Sequence, residues 1–168
     1  MIINGGVYNG GVYKDQLRVV TNGLTMWLDA GNSTSYPGSG NTWYDLSGTG
    51  SNINLVGTPT YTAGTPSYFS FDGATQYGTG STPNVVPNNQ YTKSMWLRLE
   101  AYNYNNNIVS SFAGGHFTFG GGHNVYYSGH ADWIDYNAFP TNATFNLNQW
   151  YYIAVTFEAY TSMKTYVN

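Results

Sequence analysis

The chain contains no cysteine, and charged residues make up only 8% of it. Without cysteine there are no disulfides and no thiolate metal sites, and any redox compartment is permitted. With so few charges, the surface has to be built from Asn, Ser, Thr, Gly and Tyr hydroxyls. Five basic residues spread along the chain and a formal net charge of −3 leave no footprint for a phosphate backbone, so neither nucleic acid nor an anionic membrane is expected as a partner. No run approaches the ~18 apolar residues of a spanning helix, so membrane insertion is not expected either. Met1-Ile-Ile-Asn-Gly-Gly6 lacks the charged and apolar regions of a signal peptide, which gives no reason to expect Sec export. No stretch of ten residues or more shows a helical period, so helix content should be low.

What the chain does have is aromatics and glycine: 17 Tyr, 5 Trp, 8 Phe and 21 Gly in 168 residues. That length suits one domain with one sizeable core. Residues 4 to 13 repeat Asn-Gly-Gly-Val-Tyr in tandem. Paired glycines make poor strands and worse helices, so residues 1–22 are expected to be a flexible arm. A sharper reading makes it an assembly arm whose Tyr8 and Tyr13 order against a partner subunit. Leu24 to Asp29 reads as the first strand, and Tyr68 to Gly73 with Gln76-Tyr77 as a strand, an Asp-Gly turn and a returning strand. Tyr91 to Glu100 alternates like a sheet strand, with Lys93 on the parity of Met95 and Leu97, as if that strand end were open to water. Ile108–Phe112, Phe117–Phe119 and Val125–Tyr127 read as short strands between Gly-rich turns. Trp150 to Phe157 is β-branched or aromatic almost throughout, with Trp150 a candidate core anchor, and Met163 to Asn168 makes it a hairpin. Apolar groups on both parities suggest that this strand is covered on both faces.

Several of these stretches carry a resemblance. Trp27-Leu-Asp-Ala-Gly-Asn32, Trp43-Tyr-Asp-Leu-Ser-Gly48, Phe71-Asp-Gly73 and Asn148-Gln-Trp-Tyr-Tyr-Ile-Ala-Val-Thr-Phe157 resemble laminin-G-like, concanavalin A-like domains of bacteriophage and bacterial surface proteins. The resemblance implies an all-β, two-sheet antiparallel jelly-roll sandwich over residues 23–168. Such domains normally continue past Tyr166-Val-Asn168 with at least one more strand, so either the sequence is cut short here or the missing edge is supplied by something else. A sheet edge left in this state pairs readily, and an oligomer or larger assembly follows as an expectation.

The fold also hosts glycoside hydrolases, whose chemistry needs two carboxylates on one face. Glu100 and Glu158 each lie more than four residues from any Asp, so no enzyme is expected. His116, His123 and His130 recur every seven residues, a spacing that does not make a compact metal site. Asp132 and Asp135 read as loop carboxylates. The resemblance implies calcium as the one cofactor to consider, held on a rim through Asp29, Asp45 or Asp72, each of which also suits an ordinary turn. For saccharide binding the aromatic surplus in loops is the signal: Tyr102, Tyr104, Tyr126, Tyr127, Trp133 and Tyr136 sit beside Asn, Asp or Gly. The combined expectation is a non-catalytic, lectin-like module of a virus particle, decorating the virion surface or binding host glycans. The alternative is a structural subunit bound to other virion subunits by its arm and edge strands.

Overall fold

The computed structural model describes residues 2–4, 19–80, 90–102, 106–109, 116–120, 125–129, 145–158 and 161–167. Among them are twelve strands and no helix: β1 (Ile2–Asn4), β2 (Thr42–Trp43), β3 (Ile53–Val56), β4 (Thr60–Thr62), β5 (Tyr68–Ser70), β6 (Tyr77–Thr79), β7 (Gln90–Arg98), β8 (Asn106–Val109), β9 (His116–Gly120), β10 (Val125–Gly129), β11 (Trp150–Glu158) and β12 (Ser162–Val167). The fold is all-β and its defined strand pairs are antiparallel. The chain divides into two compact units, Asn4–Val85 and Val86–Asn168 with Met1–Ile3.

The C-terminal unit is built on the pairing of β7 with β11, which keeps register from Trp150↔Arg98 to Glu158↔Gln90. On the other side of β11, β12 pairs from Ile153↔Val167 to Glu158↔Ser162, so the expected terminal hairpin is present. Side chains alternate between the two faces of a strand. Tyr151, Ile153, Val155 and Phe157 therefore share one face with Lys93, Met95 and Leu97, and all of these are buried. Phe145, Ile108 and Leu99 complete that core. The turn into β11 is fixed by polar contacts: the Asn148 N–H donates to the Leu99 carbonyl at 2.7 Å, and the Asn146 N–H donates to the Tyr151 hydroxyl at 3.0 Å. Asn148 takes a φ of 62°, a left-handed conformation that Asn tolerates better than most residues. A separate sheet of β8, β9 and β10 belongs to the same unit, with a bulge at Asn107/Val109. β1 lies next to β7, so the first residues of the expected arm pair with the chain's own sheet. Tyr8 and Tyr13 lie outside the described residues.

The N-terminal unit is organised around Phe69, which is fully buried. The rings of Tyr36 and Trp43 each lie 4.7 Å from it and that of Tyr61 lies 5.4 Å away. β5 pairs with β4, while β6 joins the sheet of β2 and β3. The Asp72-Gly73 turn therefore does not close a hairpin, as its sequence suggests; it moves the chain from one sheet to another. At Gly57 a Cβ would lie 2.7 Å from the Thr75 carbonyl oxygen, and φ is +74°, so this close approach requires glycine.

Four further expectations are corrected. Leu24–Asp29 is irregular, because its backbone groups bond to side chains and turns of the following loop. Trp150 lies on the parity opposite the core and is only half-buried. β11 is not covered on both faces, since Tyr152 is 39% exposed. Lys93 is buried, 9% exposed, with its ammonium 5.0 Å from the centre of the Tyr91 ring. Burial pushes the Lys93 ammonium down to about 8 and the Tyr91 phenol up to about 12.

Two outcomes test this architecture. Ile153→Ala should cost about 2–5 kcal/mol in urea unfolding, whereas Tyr152→Ala, one residue away on the other face, should cost under about 1 kcal/mol. Equal losses would contradict the assignment of faces. Between pH 8 and 10 the unfolded chain holds the Lys93 proton and the folded chain releases it, so stability rises with pH. Above pH 10 the unfolded chain loses the Tyr91 proton first, and stability falls again. In Lys93→Met the rise should vanish, with a gain of about 1–3 kcal/mol at pH 7. A thermal melting series across pH 7 to 11 checks both.

Candidate functional site

Because odd positions of β7 and β11 go to the core, the even ones form a second, open face. Along it the facing pairs are Arg98 and Trp150, Trp96 and Tyr152, Ser94 and Ala154, Thr92 and Thr156, and Gln90 and Glu158. β12 extends the same face, with Tyr166 opposite Ala154, Lys164 opposite Thr156 and Ser162 opposite Glu158. The Trp96 and Tyr152 rings lie 5.4 Å apart and tilted by 53°. Tyr166 is 51% exposed. The Arg98 guanidinium sits 5.7 Å from the centre of the Trp150 ring and pairs with Glu100 at 3.0 Å, which closes the aromatic end of the face with an ion pair.

At the other end is a shallow hollow of about 380 Å³, lined by Gln90, Thr92, Thr156, Glu158, Lys164 and Tyr166 among others. It offers a ring, hydroxyls, an amide, one carboxylate and one ammonium. Apolar ring faces beside neutral hydrogen-bonding groups suit a polyhydroxylated ligand. Glu158 is the one carboxylate on its lining, and among the described residues no three His, Cys, Asp or Glu side chains come together. Such a lining can stack on rings and exchange hydrogen bonds.

Of the loop-borne set expected from sequence, Tyr102, Tyr126 and Tyr127 lie among the described residues. Tyr102 is 40% exposed, and its hydroxyl donates to the Phe145 carbonyl at 2.6 Å. Tyr126 and Tyr127 are successive residues of β10. Tyr104, Trp133 and Tyr136 lie outside the described residues, as do His123, His130, Asp132 and Asp135. Trp96, Tyr152 and Tyr166 were missed because they lie in strands and not in loops. Their shared even parity with Thr92, Ser94 and Thr156 was the available signal.

The three carboxylates considered for calcium each organise a turn. The Asp45 carboxylate accepts the N–H groups of Trp27 (2.8 Å), Ser47 (3.0 Å) and Ser51 (3.1 Å), and the Ser47 hydroxyl at 2.6 Å. Burial by itself raises its pKa, but the Ser47 hydroxyl and these three N–H donors prevail and hold it at about 2. Ser51 and Thr49 hydroxyls donate to the Thr25 carbonyl at 2.8 and 2.7 Å, and the Leu46 N–H donates to the Trp27 carbonyl at 2.8 Å. The loop thus clamps the Leu24–Asp29 segment from both sides. Asp72 accepts the N–H groups of Ala74, Gln76 and Thr75 and the Thr75 hydroxyl, which hold its carboxyl well below the usual carboxylate range. Asp29 accepts the Gly31 N–H at 2.8 Å. N–H donors around a carboxylate compete with a cation for the same lone pairs.

Residues 72–168, more than half of the chain, match the Laminin_G_3 family, the concanavalin A-like lectin/glucanases superfamily, and the chain belongs to that family. Its all-β, antiparallel architecture is the one this membership entails. No curated protein and no solved structure matches the chain.

Asp45→Ala removes the acceptor for three backbone N–H groups and should cost about 1–3 kcal/mol. The stability Asp45 contributes is present above the unfolded carboxyl's pKa and is lost as pH falls towards about 2. Denaturant titrations at pH 7 and pH 2 should show the wild-type advantage over Asp45→Ala shrinking at the lower pH.

Proposed function

We propose that this chain is a non-catalytic, lectin-like module that binds saccharide on the open face of β7, β11 and β12. The observation that carries the reading is the placement of Trp96, Tyr152 and Tyr166 on one face with Thr92, Thr156, Gln90, Glu158 and Lys164 around the adjoining hollow. Membership of a family that includes lectins supports it. A hydrolytic reading would need a second carboxylate beside Glu158, and Glu100, the other Glu of the chain, is held by Arg98 beyond the far end of the face. The setting proposed is the surface of a virus particle, with glycans of the host as ligands. A Tyr-, Asn- and Gly-rich chain with few charges suits such a surface.

A glycan array probed with the purified chain tests this. At least one saccharide should be retained, and Tyr152→Ala and Tyr166→Ala should each weaken retention by about tenfold with an unchanged far-UV spectrum. An array with no retained glycan would refute the function. Retention unaffected by both substitutions would place the site elsewhere.

A further inference from the structure

Ahead of the Leu24–Asp29 segment the chain carries an Asn-Gly pair, Asn22-Gly23. The Leu24 N–H donates to the Thr21 carbonyl at 3.1 Å, which makes Asn22 and Gly23 the two central residues of a β-turn. Gly23 takes a φ of +75°, as the second central residue of a type II turn does, and a Cβ there would meet nothing within 4 Å. Thr21, Asn22 and Gly23 are all exposed. Among the described residues neither the Asn22 side chain nor the Gly23 N–H forms a hydrogen bond. An unbonded backbone N–H on a residue without a side chain thus adjoins an unbonded primary amide, and the two are the nucleophile and the electrophile of a five-membered ring closure.

Comparable positions are held. Asp72 also precedes a glycine, but its carboxylate is occupied by the N–H groups of Ala74, Thr75 and Gln76 and by the Thr75 hydroxyl. The Asn32 Oδ1 accepts the Thr34 N–H at 2.9 Å, and the Asn52 Oδ1 accepts the Asp45 N–H at 2.9 Å. Each of these two asparagines precedes a residue with a side chain, Ser33 and the β-branched Ile53.

We propose that Asn22 is a self-modification site, at which the Gly23 amide nitrogen displaces ammonia from the Asn22 side chain and solvent water opens the resulting succinimide. The Gly23 N–H gives its proton to solvent base, and the nitrogen forms a bond to Asn22 Cγ. The Cγ–Nδ2 bond then breaks, and the amino group takes up a proton and leaves as ammonia. Water adds to either ring carbonyl. Opening at Cγ leaves an aspartate on an unchanged backbone, whereas opening at the backbone carbonyl leaves an isoaspartate, whose main chain runs through Cβ and Cγ. Both products place a carboxylate where a neutral amide stood, one negative charge beyond the formal −3. The change stays local because the following residues are fixed from elsewhere: the Thr25 carbonyl accepts from the Thr49 and Ser51 hydroxyls, and the Trp27 N–H donates to Asp45. The exposed turn therefore records the age of the molecule as a charge, while the fold stays as it was.

The full chain, held warm in mildly alkaline buffer where more of the amide N–H is ionised, tests this. Samples taken over days are digested with chymotrypsin and mapped by fragmentation mass spectrometry, with isoaspartate scored separately. Asn22 should exchange its amino group for a hydroxyl about tenfold or more faster than Asn32 and Asn52, with isoaspartate among the products. Asn22→Gln, whose longer side chain has to close a six-membered ring, should lose the conversion at this position. Wild type and Asn22→Gln, aged side by side, should melt at the same temperature. Equal rates at Asn22, Asn32 and Asn52, or an Asn22 product without isoaspartate, overturn the proposed chemistry. A melting temperature that falls in the aged wild type and not in the aged variant overturns the insulation of the turn from the fold.

Discussion

The C-terminal unit depends on one register, the antiparallel pairing of β7 with β11 from Trp150↔Arg98 to Glu158↔Gln90. A slip of one residue would exchange the two faces, sending Ile153 and Val155 to solvent and Tyr152 and Thr156 to the core. What holds the register is the burial of Met95, Leu97, Ile153, Val155 and Phe157 on one side. The open face on the other side is thus a by-product of the core. Its residues are placed by the packing of their neighbours in sequence, which gives them a rigid backbone.

The N-terminal unit solves a different problem with the few charges available. Asp45 is a node into which three N–H groups and two hydroxyls converge, and Asp72 does the same for its own turn. In a chain with eight acidic residues, two of them serve as the acceptors that a longer sheet would have supplied through its ladder. The buried aromatic cluster around Phe69 and these carboxylate nodes divide the work: one supplies apolar burial, the other fixes irregular backbone.

Much of this was legible in the sequence where a local period set the outcome. The odd parity of Ile153, Val155 and Phe157, the hairpin to β12 and the turn role of Asp45 followed from alternation and turn chemistry alone. Where the sequence misled, non-local partners decided. Leu24–Asp29 alternates like a strand, yet its backbone bonds to Asp45, Ser35, Leu46 and Ser51 from a later loop. Lys93 on a core parity reads as a frayed end, because lysine usually snorkels to water, but here it is sealed by β11 and the Tyr91 ring. Trp150 looked like a core anchor from its size, and only the pairing with Arg98 shows which face it takes. The candidate site escaped for a related reason, since aromatics on the open parity of a strand look like core until the other parity is seen to fill it.

The crossover at Asp72 bears on how the N-terminal unit reaches this arrangement. β4 and β5 are joined by a short connection and close a local pair, whereas β6 must find β3, with Leu55 meeting Gly78 across the whole β4–β5 segment. Loop-closure entropy favours the nearer pairing, so the β4–β5 pair forms early and the β3–β6 ladder late. The Asp72 carboxylate, gathering the N–H groups of Ala74, Thr75 and Gln76, stiffens the junction between them and shortens the search that β6 has to make. A turn that closes no hairpin thereby fixes the point from which β6 sets out towards β3.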